Sequence, residues 1–242
     1  MDRSKDAELI EASAEGLYGA GQAIWDPSDR WNRHKRNEID TFGRRWAAPL
    51  MNEAGTVLDV GCGSEPYAWL PAGRISVDRF AAQVAHLPNA VAASIERLPL
   101  RDQSVDFTVC VGSVLNYASA AEAVAEIGRI SKPGAWLLLH FESSTSFEHV
   151  LTSRWRSPVV RLETLNGGRS DTIWVYRPAY VFDLLGGAGF RLRRQHRFHI
   201  VSTLALRASL SQQLAAPLAK LERLLPWLRT FADDVILLAE RS

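Results

Sequence analysis

The sequence has little cysteine, almost no net charge and no long hydrophobic run, and each shortage argues against a class of protein. Its two cysteines, Cys62 and Cys110, both lie in predicted core segments, so we expect no disulfide framework. The formal net charge is +1, which gives no electrostatic reason to expect a nucleic-acid partner. No apolar run reaches the roughly 20 residues that a membrane span requires. Because residues 1–15 are charged and lack the apolar core of a signal peptide, we expect a cytoplasmic protein.

Metal-binding patterns are also scarce. The chain has six histidines and two cysteines, and the pair His196-x-x-His199 alone is a weak signal. We therefore expect no bound metal.

What the chain does have is length and apolar content. Its 242 residues, 47% of them hydrophobic, suffice for one α/β domain with additions or for two small domains.

One stretch, Val57–Glu65, organises the rest of the chain. It reads VLDVGCGSE, a short apolar run with one acid, Asp59, that ends in glycines. Such a run predicts a strand buried on both faces, followed by a turn in which glycine adopts positive φ and lets a ligand approach. Ser64 can cap a following helix and Pro66 suits its first turn. The stretch therefore predicts a strand, a turn and a helix start that together bind an anionic group.

A second acid follows the first at a sequence spacing that is typical of nucleotide-binding sites. The run Arg74–Phe80 reads RISVDRF and carries Asp78 roughly 20 residues after Asp59. At this spacing in βαβ nucleotide sites, an acid accepts hydrogen bonds from the ribose hydroxyls. A dinucleotide-dependent oxidoreductase is the rival interpretation. Its G-x-G-x-x-G fingerprint, counted from Gly61, would place the last glycine at Pro66, which weakens that interpretation.

Four segments, in order, carry a resemblance to a known family: VLDVGCGSE, ISVDRF, ERLPLRDQSVDFTVCVGSVLNY and EIGRISKPGAWLLL. They resemble the motifs of class I S-adenosylmethionine-dependent methyltransferases, of the type 11 kind, over roughly Val57–Phe190. The resemblance implies a doubly wound, Rossmann-like α/β sheet of seven strands with one antiparallel strand. It implies methyl transfer from S-adenosylmethionine, with S-adenosylhomocysteine as product, to oxygen or nitrogen of a small-molecule or glycan acceptor. The segments GCGSEPY and FESS and the leucine-rich tail look most like bacterial methyltransferases of surface-glycan biosynthesis.

The resemblance and the predicted strand ends together indicate ten cofactor-binding residues. They are Asp59, Gly61, Cys62, Gly63, Asp78, Arg79, Ser94, Ile95, Gly112 and Ser113. Ser94 stands where the family commonly has an acid, so a contact with the adenine amino group would use its hydroxyl. The backbone N–H of Ile95 can serve the same ring.

The acceptor is expected near the ends of the fourth and fifth predicted strands. His149, Glu142 and Tyr117 are the candidate catalytic residues, and Asn116 and His140 are further candidates to line the acceptor side. A general base is needed for a hydroxyl acceptor and less so for an amine, so His149 or Glu142 would act as base in the first case. A catalytically inactive binding module is the alternative function, although the complete set of acids and glycines argues against it.

Residues 1–50 predict an N-terminal helical extension in two pieces. Near-helical spacing of aromatic and aliphatic residues predicts that the second piece packs on the sheet. In the other interpretation, Tyr18, Trp25 and Trp31 cover the cofactor or the acceptor, because related enzymes often use their N-terminal segment as a lid.

Residues 51–242 form the expected methyltransferase domain. We expect 143–177 to be a long functional loop and 203–231 to be a helical insertion before the last strand. Leucines recur in this insertion every three to four residues, so it requires an apolar partner. Three partners are open: the acceptor mouth of its own domain, a second subunit in a homodimer, and a membrane surface met by its basic residues.

Overall fold

The computed structural model describes residues 3–20, 25, 28–166, 169–208 and 210–242. The strands are β1 (Val57–Val60), β2 (Ile75–Asp78), β3 (Ala90–Ala92), β4 (Val105–Cys110), β5 (Ser131–Glu142), β6 (Val159–Asn166), β7 (Arg169–Tyr176), β8 (Phe190–Phe198) and β9 (Asp234–Arg241). Seven of them form one sheet in the order β3-β2-β1-β4-β5-β9-β8, and β6 pairs with β7 separately. Strands β1 to β5 pair in parallel, and β9 runs antiparallel to β5 and β8. The expected Rossmann-like fold with one antiparallel strand is confirmed.

Helices flank this sheet on both faces. They are α1 (Arg3–Tyr18), α2 (Arg30–Phe42), α3 (Ala48–Met51), α4 (Ala81–Val84), α5 (Ala120–Ile130), α6 (Pro178–Gly187), α7 (Val201–Arg207) and α8 (Gln212–Ala215). A π-helical turn at Gly43–Ala47 joins α2 to α3, and 3₁₀ segments span Val114–Tyr117, Phe147–His149, Ala216–Leu224 and Pro226–Phe231. No helix in the described ranges is long and apolar enough to cross a membrane.

Apolar side chains cover both faces of the sheet. All four residues of β1 are buried, as the short hydrophobic run predicts for a central parallel strand. On one face, Val124 and Ile127 of α5 pack into the core, because they recur at helical spacing. On the other face, Ile39 and Phe42 of α2 do the same. The two layers hold the strand ends in place, and those ends position the site.

No helix lies between β1 and β2, a segment that the structure describes throughout, so the helix expected from Ser64 and Pro66 is wrong. Turns connect β1 to β2 instead, and the N–H of Gly61 donates to Val77 O at 2.7 Å. Pro66 and Pro71 lie too close together for a helix to propagate between them, since starting a helix is costly and proline interrupts it. Any ligand at this turn meets loop N–H groups rather than a helix terminus.

The long loop expected after β5 contains a hairpin. Strands β6 and β7 pair antiparallel from Val159 opposite Tyr176 to Asn166 opposite Arg169. The sequence Asn-Gly at 166–167 is a typical hairpin signal, although the glycine that follows Asn166 lies outside the described residues. Polar residues along both strands obscured the alternation that would have indicated them.

The helical insertion expected at 203–231 consists of several short helical pieces. Helices α7 and α8 and two 3₁₀ segments span this region, and Leu214 is 64% exposed. Leu206 and Leu218 pack around Trp31 of α2 instead. Pro217 prevents a continuous α-helix because it lacks an N–H donor. The described part of the insertion therefore docks on α2, and a partner for its exposed leucines stays a prediction.

Candidate functional site

The carboxyl ends of β1, β2 and β4 meet at one edge of the sheet, where the strand order reverses between β1 and β4. Ligands of open α/β sheets bind at such a reversal. A cavity of about 960 Å³, including space open to solvent, lies there, within the range of small-molecule sites. We call it the strand-end cavity. Its lining includes Asp59, Gly61, Cys62, Asp78, Arg79, Ser94, Ile95 and Gly112.

The glycine turn brings the backbone close to this cavity. Gly61 has φ +66°, and a Cβ atom built there would lie 2.1 Å from Val114 Cγ2, so no other residue fits without displacement. Gly63 also has a positive φ, +56°. Gly63 is not part of the cavity lining, but its N–H donates to Asp78 Oδ2 at 3.0 Å. Gly61 therefore shapes the cavity and Gly63 orients one of its acids.

Two acids of the lining have raised pKa values. Burial raises the pKa of Asp59 to about 7, against the opposing charge of Arg74. The Arg74 Nε atom lies 3.5 Å from Asp59 Oδ2, yet that oxygen has no hydrogen-bond partner in the described structure. Burial also raises the pKa of Asp78, whose oxygens accept hydrogen bonds from the N–H groups of Gly63 and Phe80, both at 3.0 Å. Both carboxyls keep lone pairs for the donors of a ligand.

Helix α1 lies across the strand-end cavity. Its residues Ala14 and Tyr18 are part of the lining. Arg79, at the end of β2, forms an ion pair with Glu11 of the helix. Gln83 Nε2 donates to the carbonyl oxygen of Tyr18 at 2.9 Å. These contacts attach the N-terminal helix to the end of β2 and to α4, so the helix forms one wall of the cavity.

A second cavity of about 780 Å³, again including space open to solvent, adjoins the first. We call it the acidic cavity, because four carboxyls and one ammonium group line it in the described structure. The carboxyls belong to Glu142, Glu148, Asp171 and Asp233, and the ammonium group belongs to Lys35. Ser113, expected at the cofactor, lines this second cavity instead, and its Oγ donates to Glu142 Oε1 at 2.9 Å.

Burial makes several of these carboxyls hard to ionise. It raises the pKa of Glu148 to about 7, with a further contribution from the charge of Glu142. It raises the pKa of Asp233 well above the ordinary value, and the charges of Asp234, Glu142 and Glu148 add to this effect. The pKa of Asp171 is raised by burial as well. The cavity therefore retains carboxyl protons near neutral pH.

The two cavities share a wall. Four residues line both of them: Tyr18, Trp25, Gly112 and Tyr117. The hydroxyls of Tyr18 and Tyr117 lie 3.1 Å apart, and that of Tyr117 donates to Asp171 Oδ2 at 2.5 Å. Burial raises the pKa of Tyr18 to about 12 and that of Tyr117 well above its ordinary value. Both hydroxyls are therefore neutral at physiological pH. Because Tyr117 gives its single proton to Asp171, the Tyr18 hydroxyl is the donor between the two.

A buried charge network adjoins the acidic cavity. Lys35 Nζ lies 2.5 Å from Glu142 Oε1 and 3.5 Å from Asp234 Oδ1. Asp234 also pairs with His140 Nε2 at 2.9 Å and with His199 Nδ1 at 2.5 Å. Burial opposes ionisation of Asp234, but Lys35 and the two histidines hold its pKa well below the ordinary value. Lys35 thus serves as counter-ion for two carboxyls at once.

The structure brings together two of the three candidate catalytic residues. Tyr117 and Glu142 both line the acidic cavity. His149 is buried outside the described cavity linings, and its Nε2 atom has no hydrogen-bond partner. Asn116 and His140 are also fully buried and bonded to neighbouring chain atoms rather than lining either cavity.

Sequence reasoning missed Lys35, Asp171 and Asp233. A signal for Lys35 existed, because Trp31, Lys35 and Ile39 are four residues apart and so share one face of α2. A lysine on an otherwise apolar helical face requires a buried counter-charge. Asp171 and Asp233 had no comparable local signal, since their surroundings come from distant segments.

A comparison with family models found a match over part of the chain. Residues 58–139 match the model of a methyltransferase domain. This segment runs from β1 into β5 and contains Asp59, Asp78 and the turn at Gly112. A comparison with curated proteins found no match.

Solved structures share the fold at low sequence identity. The cyclase SpnF is 20% identical with a TM-score of 0.56, over 99% of this chain and 94% of SpnF. A putative S-adenosylmethionine dependent methyltransferase from Listeria monocytogenes is 12% identical with a TM-score of 0.58, over 87% of this chain and 99% of that one. The 1,6-didemethyltoxoflavin-N1-methyltransferase of Burkholderia thailandensis, solved with 1,6-didemethyltoxoflavin and S-adenosylhomocysteine, is 13% identical with a TM-score of 0.55, over 100% and 91%. Altogether 621 solved chains match, so this fold by itself selects no substrate.

Proposed function

Because residues 58–139 match the model of a methyltransferase domain and solved S-adenosylmethionine-dependent methyltransferases share the fold, we propose that this chain methylates an oxygen or nitrogen atom of a small organic acceptor with S-adenosylmethionine as donor. One observation supports this more than any other: the strand-end cavity and the acidic cavity meet at a shared wall. The methyl donor would occupy the strand-end cavity and the acceptor would occupy the acidic cavity. The transferred group would then cross at Tyr18, Trp25, Gly112 and Tyr117.

The residues of the strand-end cavity fit the donor. The turn at Gly61, which packs against Val114 where any other residue would place a Cβ atom, puts its backbone in the cavity lining, within reach of the donor. Asp78 offers lone pairs to the two ribose hydroxyls. Asp59, whose Oδ2 atom has no hydrogen-bond partner, suits the donor's ammonium group. Ser94 and Ile95 supply a hydroxyl and a backbone N–H for the adenine.

When bound, S-adenosylmethionine supplies a methyl group on a positively charged sulfur, so the acceptor bond forms as the methyl–sulfur bond breaks and sulfur keeps the electron pair. The chain contributes mainly position. Holding two reactants in line can supply roughly 7–11 kcal/mol of the barrier. Tyr18 of helix α1 and Gly112 of the turn after β4 both line the junction and would limit the access of water to it.

Asp171 is the proton acceptor that we propose for a hydroxyl acceptor. It lines the acidic cavity and accepts the Tyr117 hydrogen bond at the shared wall. Glu142 also lines the cavity, but its Oε1 atom accepts from the Lys35 ammonium group as well as from Ser113, whereas the side-chain donors to Asp171 are neutral hydroxyls, those of Tyr117 and Ser13. His149, outside the cavity lining, would not reach the acceptor. An amine acceptor would lose its proton to the same Asp171 carboxyl after transfer.

Two measurements on the purified protein test the function. Calorimetry with S-adenosylhomocysteine reports on the donor site, and incubation with methyl-labelled donor reports on transfer. The labelled donor is supplied with a small-molecule extract and, separately, with a glycan fraction, so that mass spectrometry identifies which fraction gains the label. We expect micromolar binding of S-adenosylhomocysteine and a labelled small molecule.

Controls separate the alternatives. Asp78→Ala should reduce donor binding, while Tyr117→Phe should reduce transfer and leave donor binding intact. Donor binding with no labelled product in either fraction would indicate an inactive binding module. Binding of a nicotinamide dinucleotide in place of S-adenosylhomocysteine would replace the proposal with an oxidoreductase.

A further inference from the structure

The acidic cavity contains more carboxyls than the chain supplies cations for. Its described lining has four carboxyls and one ammonium group, that of Lys35. Lys35 is already engaged by Glu142 and by Asp234. The remaining carboxyls of the described lining, those of Glu148, Asp171 and Asp233, therefore have no ammonium group of their own, in agreement with their raised pKa values.

Asp233 is the carboxyl of this lining that most needs a partner. It lines the cavity although it is only 8% exposed. Within the described chain its carboxyl makes no hydrogen bond or ion pair, and the same holds for Glu148 on the facing segment. The nearby charges of Glu142 and Glu148 make its ionisation still harder. Burying an unpartnered carboxyl costs free energy, and a cation in the cavity would remove that cost.

The side chains that line the cavity indicate that the cation is organic. In the described residues no group of three or more histidine, cysteine, aspartate or glutamate side chains is arranged to hold a metal ion. Apolar side chains complete the walls, among them Trp31, Leu162, Ile173 and Leu206. Carboxyls beside aromatic and aliphatic surfaces suit an ammonium group attached to a carbon framework.

We propose that the acceptor carries a protonated amine that Asp233 and Glu148 bind, while a different atom of the same molecule receives the methyl group. This inference rests on the proposed function, because it takes the acidic cavity as the acceptor site. Asp233 and Glu148 line that cavity and are not among the residues of the shared wall, so the group that they bind is separate from the atom that meets the donor. A protonated nitrogen has no lone pair and cannot be the methylated atom. An amino alcohol or amino sugar, methylated on a hydroxyl, has the required chemistry.

The test compares two probes of nearly equal shape, cyclohexylammonium and cyclohexanol, in the presence of saturating S-adenosylhomocysteine. Their dissociation constants are measured by ligand-observed NMR at pH 7.5. We expect the wild-type protein to bind cyclohexylammonium at least about 10-fold more tightly than cyclohexanol, as for a hydrogen-bonded charge pair. Asp233→Asn and Glu148→Gln should each reduce this ratio to about 3-fold or less. Glu53→Gln, at an exposed position outside the cavity linings, should leave it unchanged.

The outcomes separate this inference from the function on which it rests. Equal binding of the two probes by a wild-type protein that binds S-adenosylhomocysteine would overturn the inference and leave the donor site standing. An undiminished ratio in Asp233→Asn or Glu148→Gln would also overturn it. Failure of the wild-type protein to bind S-adenosylhomocysteine would instead count against the proposed function. If one variant does not fold, the wild-type ratio and the other variant still decide the question.

Discussion

The strand-end cavity and the acidic cavity lie side by side but are built in different ways. The first is shaped by backbone at the ends of three neighbouring strands: glycines with positive φ at Gly61 and Gly112, N–H groups, and the acids Asp59 and Asp78 in the last residues of β1 and β2. The second is shaped by side chains from α1, α2, the end of β5, the β6–β7 hairpin and the C-terminal insertion. Backbone geometry suits a ligand that is common to a fold, whereas side chains from variable segments suit a particular acceptor. This difference supports the proposal that the donor binds in the strand-end cavity and that the acidic cavity selects the acceptor.

The largest expected effect is on the acidic cavity, from Lys35→Met. Removal of the ammonium group leaves Glu142 and Asp234 without their buried counter-ion, and breaking a buried pair in this way costs about 3–5 kcal/mol. Urea denaturation should show this loss in the free energy of unfolding. Lys132→Met removes the partner of Asp106 at a partly exposed site and should cost about 0–1 kcal/mol. Similar losses in the two variants would contradict the assigned role of Lys35.

Gly61→Ala should damage the strand-end cavity next most severely. The new methyl group would meet Val114 Cγ2 at 2.1 Å, on a residue with φ +66°. Left-handed backbone and overpacking together should destabilise the protein by about 2–4 kcal/mol and weaken S-adenosylhomocysteine binding. Gly73→Ala, with nothing within 4 Å of the added atom, is the matched control. Thermal melts and calorimetry of both variants check this, and a harmless Gly61→Ala would show that the turn tolerates a side chain.

Asp78→Ala should affect ligand binding more than folding. Loss of charge-assisted hydrogen bonds worth roughly 1.5–3 kcal/mol should weaken S-adenosylhomocysteine binding by about 10- to 100-fold. The control is Asp183→Ala, at an exposed position on α6. Unchanged calorimetric affinity of the Asp78 variant would remove this acid from the donor site.

The smallest expected effect is a pH dependence in the acidic cavity. Burial raises the pKa of Glu148 from 4.5 to about 7 in the folded protein. Between these values the unfolded chain binds fewer protons than the folded one, so this group's contribution to stability is full below pH 4.5 and is lost as pH rises to about 7. Glu148→Gln should remove this dependence, and urea denaturation from pH 4.5 to 8 compares the variant with wild type. A difference that stays constant over this range would contradict the burial of the ionising carboxyl.

The same contrast explains what could be predicted from sequence. The order of motifs predicted the sheet, and residues next to strand ends, such as Asp59, Gly61 and Asp78, were placed at one cavity because strand, turn and acid are adjacent in the chain. The helix start at Ser64 and Pro66 was wrong because the nearby Pro71 limits its length, which outweighs a favourable cap.

The acidic cavity was largely out of reach of sequence reasoning. Asp171 and Asp233 come together with Glu142 only after the hairpin and the insertion have folded over the sheet. The hydrogen bond between Tyr117 and Asp171 joins residues 54 positions apart. The local periodicity of hydrophobic residues, from which helices and strands are predicted, carries no information about such a contact. His149 illustrates the converse error, since proximity in sequence to a strand end did not bring its side chain to either cavity.

A crystal structure with bound S-adenosylhomocysteine tests the central claim most directly, that the donor and the acceptor occupy adjoining cavities with a shared wall. The account expects the ribose hydroxyls on Asp78 and the sulfur atom facing the acidic cavity between Gly112 and Tyr117. A ligand whose sulfur faces away from that wall, or one bound in the acidic cavity itself, would contradict it.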